Sequence, residues 1–295
     1  MNDSVGLWFF ARLTGLSYLL AFLSLDFQIP GLIGPDGILP AENLLSRASE
    51  SLGPAGFWAL PSLTWFFGTS TFSLQLLATI GLISSALLTL GLLRPVSAAL
   101  AWLCWLSFVN IGQDFLSFQW DTLLLEAGFL LIFMEKPGFL PRPAGCDLPP
   151  RILRWALGFL VARLMLSSGI VKLLSGDPTW ADFSAMTHHF ETQPIPNPLA
   201  WFIHQLPHTL LNLSTLLTLL IELTLPFLLL VPKSKARLGV AAGFLFLMLL
   251  IALTGNYAYF NLLTAALCLP LIDNRYWPRF LQPQKIPLPW TPVPW

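Results

Sequence analysis

Residues 71–93, TFSLQLLATIGLISSALLTLGLL, carry no charged side chain. A run of this length and apolarity belongs in hydrocarbon. There every backbone N–H and C=O must find its partner within the segment or in a closed barrel. Comparable runs recur along the chain, and each is long enough for a helix but far too long for a typical strand. The sequence therefore predicts an all-α, polytopic membrane bundle of about eight transmembrane helices. They cover residues 7–28, 71–93, 96–114, 118–134, 152–174, 209–231, 238–254 and 257–272. Composition agrees: only 10% of the 295 residues are charged, against roughly 25% in a soluble domain. The formal net charge of zero argues against a nucleic-acid partner.

The first run is not expected to be a cleaved signal peptide. It lacks a basic n-region, holds Arg12 within the apolar stretch and shows no small-x-small cleavage site. With eight spans, eleven basic residues share the side of the termini: Arg94, Lys136, Arg142, Arg151, Arg154, Lys233, Lys235, Arg237, Arg275, Arg279 and Lys285. Only Arg47 and Lys172 lie on the other side. The bias places both termini in the cytoplasm. The membrane would be the inner membrane in a bacterium and that of the endoplasmic reticulum in a eukaryote. Cys104 and Cys268 fall in spans and Cys146 in a cytoplasmic loop, so no structural disulfide is expected.

Two long loops face outward. The first covers residues 29–70. Its later part, PAGFWALPSLTWFFG, is too short and too broken to span, and suits an interfacial segment with Trp58 and Trp65 at headgroup level. The second follows the fifth span and runs to about His208. The Pro-rich linker EKPGFLPRPAGCDLPPR divides the chain into four helices before and four after. Residues 1–280 read as one transmembrane domain and 281–295 as a Pro-rich cytoplasmic tail.

Charges within spans are costly and turn toward protein. Glu126, Arg163 and Glu222 fall near the middle of spans four, five and six, where Arg163 is expected to approach Glu126 or Glu222. Such a network serves either helix register or a polar path, and both readings stay open. Nearer the outer face gather Asp114, Gln119, Asp121, Lys172, Asn256 and Asn261. Lys172 enters a loop that holds Asp177, Trp180, Asp182, His188, His189 and Glu191. It reads either as a snorkelling lysine or as a base in an outward-facing pocket lined by these residues. His204 and His208 have i,i+4 spacing, but Pro207 separates them and no HExxH glutamate accompanies them. No metal site is therefore expected. Pro194, Pro196 and Pro198 stiffen the return of the loop.

Five ordered blocks carry a family resemblance. They are GLIGPDGILPA at 31–41, FLSFQWDTLLLEAGFLLIF at 115–133, SGIVKLLSGDPTWADFSAMTHHFETQPIPNPLAWFIHQLP at 168–207, IELTLPFLLL at 221–230 and TGNYAYFNLLT at 254–264. Over nearly its whole length the chain resembles the lipase maturation factors. The resemblance implies an integral membrane protein that assists secreted lipases, or related exported proteins, to reach their active state. Its partners would be membrane lipid and a secreted lipase client, with no cofactor. Animal members reside in the endoplasmic reticulum and usually continue past the spans into a sizeable lumenal domain implicated in client binding. A shorter segment, Gly169 to Lys172 followed by Asp177 and Trp180, is similar to the membrane half of vitamin K-dependent gamma-carboxylases. That similarity implies an alternative, a membrane enzyme using Lys172 as a base on a quinone-like or lipid substrate.

Overall fold

A computed structural model describes residues 4–135, 148–193, 195, 197–231 and 233–282. Most of the Pro-rich linker with Cys146, two of the three loop prolines (Pro194 and Pro196) and residues 283–295 of the tail lie outside the described residues. The described residues are helical, with no strand among them. Among the described residues nine helices of nine residues or more organise the fold: α1 (Ser4–Leu32), α2 (Ala41–Leu52), α3 (Thr71–Leu90), α4 (Arg94–Ile111), α5 (Gln119–Met134), α6 (Arg151–Leu174), α7 (His208–Thr224), α8 (Ser234–Thr254) and α9 (Phe260–Cys268). Among the described residues six helical segments are long and apolar enough to cross a membrane: α1, α3, α4, α6, α8, and α7 with its 3₁₀ continuation to Leu230.

The two remaining expected spans are shorter. Helix α5 has 16 residues, about 24 Å at 1.5 Å per residue. Helix α9 gives way to a 3₁₀ turn at Leu269–Leu271, where Pro270 cannot continue an α-helix. Its side chains Leu263, Thr264, Ala266, Leu267 and Cys268 are buried by protein, so it does not need bilayer-spanning length. A Cβ on Gly6 would fall 2.2 Å from the Leu269 carbonyl oxygen. That glycine lets the first turn of α1 meet the end of α9 backbone to backbone.

Local signals set the helix ends. Ser70 caps α3 by accepting from the Ser73 N–H at 3.2 Å. Gly91, at φ 84°, closes α3 in the left-handed conformation, and α4 then starts with Pro95 in its first turn. The short α3–α4 hairpin follows directly.

Helix α1 is the hub. It packs on α3, α5 and α9, and 67% of its apolar window is buried, against 28% for residues 208–230 and for α8. Phe10, Tyr18, Phe22 and Ile29 are fully enclosed. Phe22 meets Trp105 of α4 edge to face at 5.3 Å, and a Cβ on Gly81 would strike its ring. The second half, α6 to α8, leans on this cluster through α9, which touches α1, α5, α6 and α8.

Both ends of the described chain meet on one face. The Val5 N–H donates to Asn274 Oδ1 at 3.1 Å, and Asn274 Nδ2 donates to Ser4 Oγ at 2.9 Å. We call this the terminal face and the opposite one, with residues 33–70 and 175–207, the loop face. In the first loop only short helices, Gly56–Ala59 and Thr64–Phe67, follow α2. Trp58 is exposed, while Trp65 Nε1 donates to the Leu60 carbonyl at 2.9 Å.

Candidate functional site

The second half gathers its polar residues where α6 ends. Lys172 lies in the last turn of α6. Its Nζ donates to both carboxylate oxygens of Glu222, at 2.7 and 2.8 Å, and to the Ser168 carbonyl at 3.3 Å. Glu222 is nearly closed off, at 5% side-chain exposure, and Lys172 retains 24%. The Trp180 ring covers the ammonium, 5.4 Å from Nζ to its centroid.

Two features bring this pair together. Gly169 removes the side chain where α7 crosses: a Cβ there would lie 2.7 Å from Leu223 Cδ2 and 3.1 Å from Glu222 Cβ. The helices are also offset. Glu222 lies about 21 Å along α7 from its first residue, so α7 projects well beyond the end of α6. The loop residues lie on that projection. Thr215 Oγ1 accepts from the Met186 N–H at 3.2 Å, and Gln193 Nε2 ties the loop to α8 through the Thr254 carbonyl at 2.8 Å.

The expected three-membered network of Glu126, Arg163 and Glu222 thus divides into two pairs. Arg163 bonds to Glu126 across α5 and α6, and Glu222 belongs to Lys172. The expected gathering of Asp114 and Asp121 around Lys172 is replaced by other partners. Asp121 is buried in the first turn of α5, where it accepts from Tyr259 Oη at 2.7 Å and from the Phe118 N–H at 3.2 Å. Asp114 is exposed in the 3₁₀ turn Gln113–Leu116.

The loop acids shape the loop itself. Asp177 caps Pro178–Ala181 by accepting from the Thr179 hydroxyl and N–H, at 2.8 and 3.0 Å. Asp182 accepts from the Ser184 hydroxyl and N–H at 2.5 and 2.9 Å. These hydrogen bonds hold both carboxyls below their ordinary value. His188 is exposed, and its carbonyl accepts from Thr192 Oγ1 at 3.0 Å. His189 is half-buried against Phe190; burial first, and Lys172 second, lower its pKa. Glu191 stands 3.5 Å from His204 Nε2. Asn256 Oδ1 receives the Ala258 N–H at 3.3 Å, whereas Asn261 is buried within α9. Among the described residues no group of three or more His, Cys, Asp or Glu is placed to hold a metal ion.

One cluster escaped the sequence reading. At the terminal face Glu135 meets Arg94 at 3.0 Å and Arg12 at 3.9 Å, and Arg12 also donates to the Leu88 carbonyl. Burial raises the Glu135 pKa, and the two arginines oppose it. The available signal was Arg12 inside an apolar run, with Arg94 and Glu135 at the matching ends of other runs.

With this geometry in hand, comparison with known proteins places the chain. The model of the lipase maturation factor transmembrane domain matches residues 6–279. Lipase maturation factor 2 of Xenopus laevis is 41% identical over 279 residues, covering 90% of this chain and 39% of that protein. The human lipase maturation factor 2 is 41% identical over 277 residues, covering 88% of this chain and 38% of that protein. Lipase maturation factor 1 of Mus musculus is 34% identical over 270 residues, with 89% and 47% covered. The chain therefore spans less than half the length of these relatives. No solved structure matches it.

Proposed function

The chain belongs to the lipase maturation factor family, and from that premise we propose that it assists secreted lipases, or related exported proteins, to mature. The observation that carries this reading is the family match over nearly the whole chain. The loop face would meet the client. Residues 175–207 suit that task because they are fastened at several points, to α6 through Trp180, to α7 through Thr215 and to α8 through Thr254. A held loop offers a surface with little ordering cost on binding. In this reading Lys172, Glu222, Asp177 and Asp182 are positioning residues that set the shape of the loop.

Orientation follows from the basic residues. The terminal face lies in the cytoplasm and the loop face in the compartment that clients enter. That compartment is the periplasm in a bacterium and the lumen of the endoplasmic reticulum in a eukaryote.

Co-expression with a secreted lipase in a host deleted for this chain tests the function. The specific activity of the secreted lipase should fall on deletion, return with the wild-type chain and return only in part with Trp180→Ala. Equal specific activity with and without the chain would sink the proposal. For orientation, single cysteines at positions 144 and 188 in a Cys-free background should divide. An impermeant thiol reagent added from outside should label 188 and spare 144, and the reverse pattern would reject the topology.

A further inference from the structure

Helix α6 also carries Arg163, in a setting unlike that of Lys172. Its partner is Glu126 of α5, and the two side chains remain 45% and 31% exposed. This exposure faces the bilayer. The neighbouring exposed side chains are Phe129 and Phe133 on α5 and Phe159 and Ile170 on α6, which lipid must cover. Charges so placed draw polar matter inward, through local thinning and entry of water or headgroups.

A groove of about 220 Å³ runs beside the pair, lined also by Gln119 and Thr122 of α5 and Ser167 of α6. Gln119, Thr122 and Glu126 recur at helical spacing, so they stack on one side of α5. The polar stripe starts at the loop-face end of α5 and reaches Glu126 about 10 Å further along. There it stops, because Phe129 and Phe133 follow on α5. Leu123 and Leu164 complete the groove wall, so polar groups run from its mouth to the ion pair along an apolar back.

We propose that this groove binds the headgroup of a zwitterionic phospholipid bearing a primary ammonium, with its phosphate on Arg163 and its ammonium on Glu126. A guanidinium has five donors and a carboxylate about four acceptor sites, so each partner keeps capacity after the two have paired. A net-neutral pair matches a net-neutral headgroup. An anionic headgroup would set its phosphate against Glu126 with no ammonium to offset it. A choline headgroup is neutral but cannot donate a hydrogen bond to the carboxylate. Thr122 and Ser167 hydroxyls and the Gln119 amide supply further donors along the path of the phosphate and glycerol oxygens. Depth is not an obstacle, because α5 is about 24 Å long where the hydrocarbon is about 30 Å thick, and a short helix thins the bilayer around it.

The test uses the full chain in mild detergent, titrated by native mass spectrometry with phosphatidylethanolamine, phosphatidylcholine and phosphatidylglycerol of identical acyl chains. Phosphatidylethanolamine should be held about tenfold more tightly than either of the others, ~1.4 kcal/mol. Arg163→Gln with Glu126→Gln should abolish the difference. Thr122→Leu with Ser167→Leu fills the groove without touching a charge, keeps apolar side chains toward lipid and should abolish it too. Equal retention of the three lipids by the wild type would overturn the proposal, as would a preference that survives in the filled groove. A dimer that the charge substitutions dissociate, with no lipid preference, would assign the groove to a second copy and equally overturn it.

Discussion

Arg163 and Lys172 stand nine positions apart on helix α6, each paired with a glutamate on a neighbouring helix, and the two pairs live in opposite surroundings. Lys172 and Glu222 are enclosed by α7, Gly169 and the Trp180 ring. Arg163 and Glu126 lie open in a lateral groove. The residue types fit their places. A lysine ends in a compact charge that two carboxylate oxygens and one carbonyl satisfy. An arginine retains donors after pairing, which suits a site with room beside it. The same acid–base chemistry therefore fixes structure in one place and leaves binding capacity in the other. What separates them is how closely protein packs over the pair.

The sharpest way to break this comparison is to remove one partner from the enclosed pair. Lys172→Met leaves Glu222 buried without its cation, and breaking such a pair costs about 3–5 kcal/mol. Thermal unfolding in detergent should show the loss, and adding Glu222→Leu should restore more than half of it. A double variant no better than the single one would mean that the pair is not what the second half depends on. Next in size is Gly169→Val. A Cβ there already crowds Leu223 and Glu222, and overpacking of this kind costs ~1–3 kcal/mol. Unchanged stability would show that α6 and α7 do not touch so closely.

Arg163→Gln should cost less, because water and headgroups drawn into the open groove can solvate the Glu126 left behind, whereas Glu222 is nearly closed off. If it destabilises as strongly as Lys172→Met, the contrast between the pairs fails. The smallest effect is that of pH on the loop. The folded pKa of His189 is lowered below 6.5, chiefly by burial, so the folded loop favours the neutral ring. Its contribution is complete above about pH 6.5, declines as pH falls through that unfolded value and levels off below the folded one. Asp177 and Asp182 are lowered by their hydrogen bonds, so their contribution is lost only in stronger acid, as pH falls below 3.8. Hydrogen-exchange protection of residues 178–193, taken relative to the intrinsic exchange rate at each pH, should therefore fall between pH 7 and 5, and His189→Gln should flatten that change.

Much of the architecture was legible before any coordinates. Hydrocarbon forces each apolar run to be a helix, and every expected span has a helical counterpart in the structure. The positions of Lys172 near a helix end and of the His- and Trp-bearing loop after it also followed from counting. Less legible were the lengths of α5, which stops after 16 residues, and of α9, which is short because protein rather than lipid encloses it. Asp121 counted correctly to the loop face, but its partner Tyr259 lies 138 residues away, and nothing along the chain ties the two.

The partner of Glu222 marks the boundary most clearly. That helices would form, which residues would sit within them and that buried charges would need partners could all be read along the chain, because these depend on backbone hydrogen bonding and local hydropathy. Which charge meets which could not. That choice rests on the axial offset between α6 and α7, and the long loop joining them leaves the offset free. Packing fixes it: Gly169 admits Leu223 and Glu222 at one level of α6, Met186 fastens to Thr215, and Lys172 rather than Arg163 is then the cation within reach of Glu222.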